Sequence, residues 1–99
     1  VWKVWKSTDS CVSWTEVDSY QWVANQSAEP RGIAIDSAGR IYVAGMGRES
    51  VGEYHWIVRR SVDGGTTWST VRDYQLVADK SAEAYDIEVD SSDRIWVVG

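Results

Sequence analysis

The chain repeats itself at an offset of 54 residues. Val1–Gly45 lies over His55–Gly99 without a gap, and twenty of the forty-five aligned positions are identical. The matches include Trp2/Trp56, Val4/Val58, Ser7/Ser61, Asp9/Asp63, Trp14/Trp68, Tyr20/Tyr74, Asp36/Asp90, Arg40/Arg94, Val43/Val97 and Gly45/Gly99. The stretch Met46–Tyr54 (MGRESVGEY) reads as a polar, Gly-containing connection between the copies. Self-similarity at this period means that each copy is one supersecondary unit, which buries its apolar face only against a neighbour.

Each period reads as four short strands in two hairpins. HWIVRRS and TWSTVRDYQ flank an Asp-containing turn. Ile87–Asp90 alternates apolar and polar residues, Ser91-Ser92-Asp93 turns, and Arg94–Val98 returns. The first copy repeats this as Gly32–Asp36, Ser37-Ala38-Gly39 and Arg40–Ala44. Asp, Ser and Gly are the residues such turns require. Val23–Glu29 and Val77–Glu83 are small and polar and read as crossings between blades. Seven Trp and five Tyr with no Phe and one Pro agree with an all-β chain, because aromatic and β-branched residues suit a pleated, half-buried surface. Four antiparallel strands repeated radially make a β-propeller.

Ser61-Val62-Asp63-Gly64-Gly65-Thr66-Thr67-Trp68 resembles the Asp-box, the S-x-D-x-G-x-T-W turn of sialidases and related propellers. Asp63 can accept hydrogen bonds from the turn's own backbone, Gly65 can take a positive φ, and Trp68 can cover the turn. Ser7, Asp9 and Trp14 keep the pattern in the first copy, where Cys11 stands for Gly65 and Ser13 for Thr67. A non-Gly residue at a positive φ is strained, so a looser or reshaped first turn is expected. The resemblance implies a structural turn between a blade's third and fourth strands, away from any catalytic face. The flanking WIVRRS and IAIDSAGRIYVAG are similar to Asp-box repeats of bacterial propeller proteins, and the likeness covers nearly the whole chain.

Ordering the strands as that family does gives residues 1–21 as the third and fourth strands of one blade. Residues 32–75 are then a complete blade, and residues 85–99 the first two strands of another. Two blades cannot close a ring, and both terminal hairpins expose edges. Head-to-tail association repairs both. With rings of roughly four to eight blades, a homotrimer gives six and a homotetramer eight, both preferred to a four-bladed dimer. A start at Val1 in mid-pattern suggests a processed chain, an excised fragment, or an engineered or reconstructed one.

Composition excludes several functions. The net charge of −5 leaves no basic footprint for nucleic acid. One cysteine, Cys11, cannot form an intrachain disulfide and is read as a substituted turn residue with a reactive thiol. No apolar run reaches membrane-spanning length and no signal peptide is visible. The expectation is a soluble chain, of unassigned location, from a family often bacterial and secreted. A sialidase needs three Arg on a carboxylate, a Tyr–Glu pair and an acidic Asp. Among Arg31, Arg40, Arg48, Arg59, Arg60, Arg72 and Arg94 that constellation is not reproduced, and Arg40 and Arg94 follow turns at matching positions.

Sites must come from residues that break the repeat, since core positions should obey it. Trp5 aligns with Arg59, Trp22 with Leu76 and Tyr85 with Arg31. These three are the candidate ligand platform, set against a role in blade packing, while Trp2/Trp56, Trp14/Trp68 and Tyr20/Tyr74 read as core. Asp9 and Asp63 each supply one carboxylate, short of a calcium cage. His55 stands alone, and no metal or cofactor is expected. Asp86 and Glu88, aligned with Gly32 and Ala34, sit on a strand that would line the central channel. The first reading is a non-enzymatic, self-assembling propeller fragment. The second is a lectin-like module with glycan sites between blades, and the third a remnant glycosidase.

Overall fold

The computed structural model describes residues 1–50 and 52–99. Val51, within the stretch Met46–Tyr54, lies outside the described residues. The described residues form an all-β structure with no helix and three antiparallel sheets. β1 (Trp2–Lys6) and β2 (Thr15–Tyr20) make an N-terminal hairpin. β3 (Ala28–Ile35), β4 (Ile41–Arg48), β5 (Tyr54–Ser61) and β6 (Ser69–Tyr74) pair in order as a four-stranded sheet. β7 (Asp86–Val89) and β8 (Ile95–Val98) make a C-terminal hairpin.

Two stretches read as connections contribute strand residues. Met46, Gly47 and Arg48 continue β4, and Tyr54 opens β5, so the link is shorter than its Gly content suggests. Gln26 N–H donates to Val23 O at 3.1 Å, closing a turn, and β3 already begins at Ala28. Lys80 N–H donates to Val77 O at 3.2 Å in the second copy.

The central sheet is a slab with a hairpin on each face. Alternation along β4 sends Val43 one way and Tyr42 and Ala44 the other. Val43, Ile57 and Ala28 pack with Trp2 of the N-terminal hairpin, joined by Val4, Tyr20 and Trp68. Tyr42, Ala44 and Val58 pack with Ile87 and Ala84, joined by Trp56, Ile95 and Val97. Coverage on both faces explains why β4 is buried from Tyr42 to Gly47. Gly45 is required by a close approach, since a Cβ there would stand 2.0 Å from Glu29 O at the β3 bulge. Its repeat partner Gly99 is pressed the same way, with a Cβ 2.1 Å from Glu83 O.

Candidate functional site

The Asp-containing turns are locked by their own side chains. In the second copy, Gly65 N–H donates to Ser61 Oγ at 2.8 Å and Thr67 N–H to Asp63 Oδ1 at 2.8 Å. Thr67 Oγ1 donates to Asp63 Oδ2 at 2.5 Å. The first copy repeats the set. Cys11 N–H donates to Ser7 Oγ at 2.9 Å, Ser13 N–H to Asp9 Oδ1 at 2.9 Å, and Ser13 Oγ to Asp9 Oδ2 at 2.5 Å. The expected loosening is not seen, because these bonds use the Ser and Asp side chains and backbone N–H groups, none belonging to the side chain at position 11. Cys11 nevertheless adopts a φ of 71°, where Gly65 has 100°. The hydroxyl bonds from Ser13 and Thr67, followed by backbone N–H bonds, hold Asp9 and Asp63 down at a pKa of about 2. The copies part at the Trp. Trp68 Nε1–H donates to Gly65 O at 3.0 Å. Trp14, read as core, is instead 54% exposed.

A second stapled turn, built on Asp36 and its repeat image Asp90, closes β3–β4 and β7–β8. Asp36 accepts from Ala38 N–H at 3.0 Å, Arg40 N–H at 2.9 Å and Arg40 Nε–H at 2.5 Å. Asp90 accepts from Ser92 N–H, Arg94 N–H, Arg94 Nε–H and the Trp96 indole. The indole bond leads in holding Asp90 at a pKa of about 2. The signal was available, since Asp36/Asp90 and Arg40/Arg94 all obey the repeat. The turns also touch each other, Ser37 N–H donating to Asp93 Oδ1 at 2.9 Å.

Five of the seven arginines are held separately. Arg40 and Arg94 bond Asp36 and Asp90, Arg59 bonds Asp18, Arg31 lies 3.2 Å from Glu29, and Arg48 donates to Gly52 O. The three aromatic candidates also occupy separate places. Trp5 is 51% exposed and lines a shallow groove with Pro30–Ile33. Trp22 packs against His55 with ring centroids 4.4 Å apart. Tyr85 lies under the Arg31 guanidinium at 5.6 Å. His55, read as a packed strand-end residue, also lies 2.6 Å from Asp73. Asp86 and Glu88 are exposed, and Asp86 Oδ1 accepts from Ile87 N–H at 2.8 Å.

The feature with the clearest geometry is a groove left open on the central sheet. Trp56, Val58, Val71, Arg72 and Tyr74 bound it on one side and Ile95 and Val97 on the other, enclosing about 560 Å³. The repeat images of these residues are Trp2, Val4, Val17, Asp18, Tyr20, Ile41 and Val43. There the same space is filled by β5 and β6. Ile57 and Trp68 pack on Trp2, Gly65 lies against Val17, and Arg59 reaches Asp18 at 2.8 Å across the Tyr20 ring. One contact between sheets is closed and its copy is open.

Residues 21–48 match the model of the family described as SBBP, beta-propeller repeat. A β-propeller repeat is present. It spans the turn at Val23–Gln26 together with β3 and β4, the hairpin whose two faces serve the closed and the open contact. No curated protein and no solved structure gave a match.

Proposed function

We propose that the chain is a non-enzymatic propeller-building unit that closes a ring by head-to-tail association, as a homotrimer of six blades or a homotetramer of eight. On this reading the four-stranded sheet is a complete blade of the Asp-box type. The terminal hairpins are halves of blades, each completed by another copy. The observation that carries the reading is the groove at Trp56, Val58, Tyr74, Ile95 and Val97, whose repeat image is filled by a hairpin of this same chain. The β1–β2 hairpin of a second copy is the repeat image of that filler, with Trp2–Tyr20 aligned on Trp56–Tyr74. Burying the apolar groove wall drives the docking, and completing the edges of β1 and β8 directs it.

Tryptophan fluorescence tests this against the lectin-like alternative. Assembly predicts a red shift on dilution as Trp5, Trp14 and Trp56 become wet, and no saturable response to added sugars. A saturable response to a glycan at unchanged mass contradicts a purely structural role.

A further inference from the structure

We infer that Trp5 and Arg72 form the pair that selects which hairpin may occupy the open groove, and so keep the contact between chains distinct from the contact within a chain. The inference rests on the head-to-tail reading.

In the closed contact, Arg59 lies over the Tyr20 ring at 4.3 Å and donates through Nε and Nη2 to Asp18 at 2.8 and 2.9 Å. The side chains of Arg59 and Asp18 are only 12% and 6% exposed. Moving along the repeat turns Asp18 into Arg72, Tyr20 into Tyr74 and Arg59 into Trp5. Both members of the buried pair change together while the tyrosine between them stays. An ion pair over a tyrosine becomes an indole facing a guanidinium over a tyrosine.

The backbone supports the transfer. β1 carries a register shift between Val4 and Trp5, and β5 carries one at the equivalent step between Val58 and Arg59. A bulge re-aims the side chain beside it, and the two hairpins carry theirs at the same step, just before Trp5 and Arg59. On the receiving side, the Arg72 guanidinium already lies 4.9 Å from the Tyr74 ring centroid. An indole on its other face is the strongest common aromatic partner for a guanidinium. A second pair changes in step beside it. His55 against Trp22, at 4.4 Å, becomes Val1 against the exposed Leu76.

The swap also works against wrong partners. β5–β6 of a second copy has the same shape as β1–β2, and in the open groove it would bring Arg59 onto Arg72, two like charges in a desolvated contact. β1–β2 in the closed contact would put Trp5 on Asp18 and leave a buried carboxylate unpaired. Attraction in the right pairing and a penalty in each wrong one is how repeats of one shape keep a fixed order.

The test uses three full-length chains compared by sedimentation velocity over a dilution series, with circular dichroism to check that each is folded. Trp5→Arg should weaken association roughly tenfold or more per contact. The double variant Trp5→Arg with Arg72→Asp, which rebuilds the Arg59–Asp18 chemistry between chains, should restore it. A parent that assembles while Trp5→Arg assembles equally well overturns the pairing and leaves the ring intact. A double variant no better than the single one also overturns the pairing. A parent that stays monomeric overturns both the pairing and the ring.

Discussion

Trp2 and Trp56 are the same residue of the repeat, and the molecule treats them differently. Each stands edge-on to its tyrosine with centroids 5.6 Å apart, Trp2 on Tyr20 and Trp56 on Tyr74. Trp2 is fully buried, whereas Trp56 is half-buried and lines the open groove. Their own hairpins are alike, so the difference comes from what is laid over them. Val43 and Ile57 cover Trp2 from two strands of the next sheet. From the C-terminal hairpin, Ile87, Ile95 and Val97, with Ala84 ahead of β7, reach the cluster that Trp56 joins. A repeat unit of this kind fixes the shape of its apolar face, and burial of that face depends on the unit that follows.

The largest expected effect separates the two tryptophans. Trp2→Ala should cost about 3–5 kcal/mol of unfolding free energy in urea. Trp56→Ala should cost clearly less in dilute solution while abolishing association. Equal losses in dilute solution would mean that the two contacts are equally closed within one chain. Next come the paired positions 18 and 72. Asp18→Asn leaves the Arg59 guanidinium without its counter-charge and should cost about 3 kcal/mol. Arg72→Asn should leave the stability of the dilute chain nearly unchanged.

A mixing experiment sharpens the comparison further. Trp5→Arg chains and Arg72→Asp chains should each associate poorly alone. Mixed, they place the introduced arginine on the introduced aspartate at one contact and Trp5 on Arg72 at the next. Strict alternation closes only with an even number of chains, so a mixed species of four, seen by native mass spectrometry, is expected if the parent is a tetramer. A trimeric parent should give no closed mixed ring.

Acid should act on the turns. Asp9, Asp63 and Asp90 sit at about 2 when folded against an ordinary 3.8. The unfolded chain therefore binds protons first as pH falls, and the stability these carboxylates supply is present above about pH 4 and lost between about 4 and 2. Melting temperature against pH should drop across that window, and Asp63→Asn should flatten part of the drop. The smallest effect distinguishes the two Asp-containing turns. Cys11→Gly relieves a positive φ but frees the unfolded chain, for a net gain of about 0.5 kcal/mol. Gly65→Ala, at a φ of 100°, should lose about 1 kcal/mol.

Much of this was legible in the residues. The ungapped repeat exposes the all-β hairpins, and the paired glycines Gly45 and Gly99 mark equivalent close approaches. The stapled turns were half visible. Asp63 was readable from its motif, whereas the recurrence of Asp36 and Arg40 as Asp90 and Arg94 marked matching positions without showing that the carboxylate gathers the turn. Least legible was the closed contact's ion pair. Asp18 and Arg59 are distant in sequence and both break the repeat, so no local pattern pairs one with the other. Trp14 misled in the other direction, because its identity with Trp68 suggested core, yet the hairpin that bears it has an uncovered face.

Closure of the open contact by a second copy separates a ring from a lone chain. The most direct measurement is the mass of the folded chain in solution across a wide concentration range. A species of three or four times 11.1 kDa that dissociates on dilution is the predicted result. A folded chain of 11.1 kDa at every concentration, with Trp56 accessible to a quencher throughout, would contradict it.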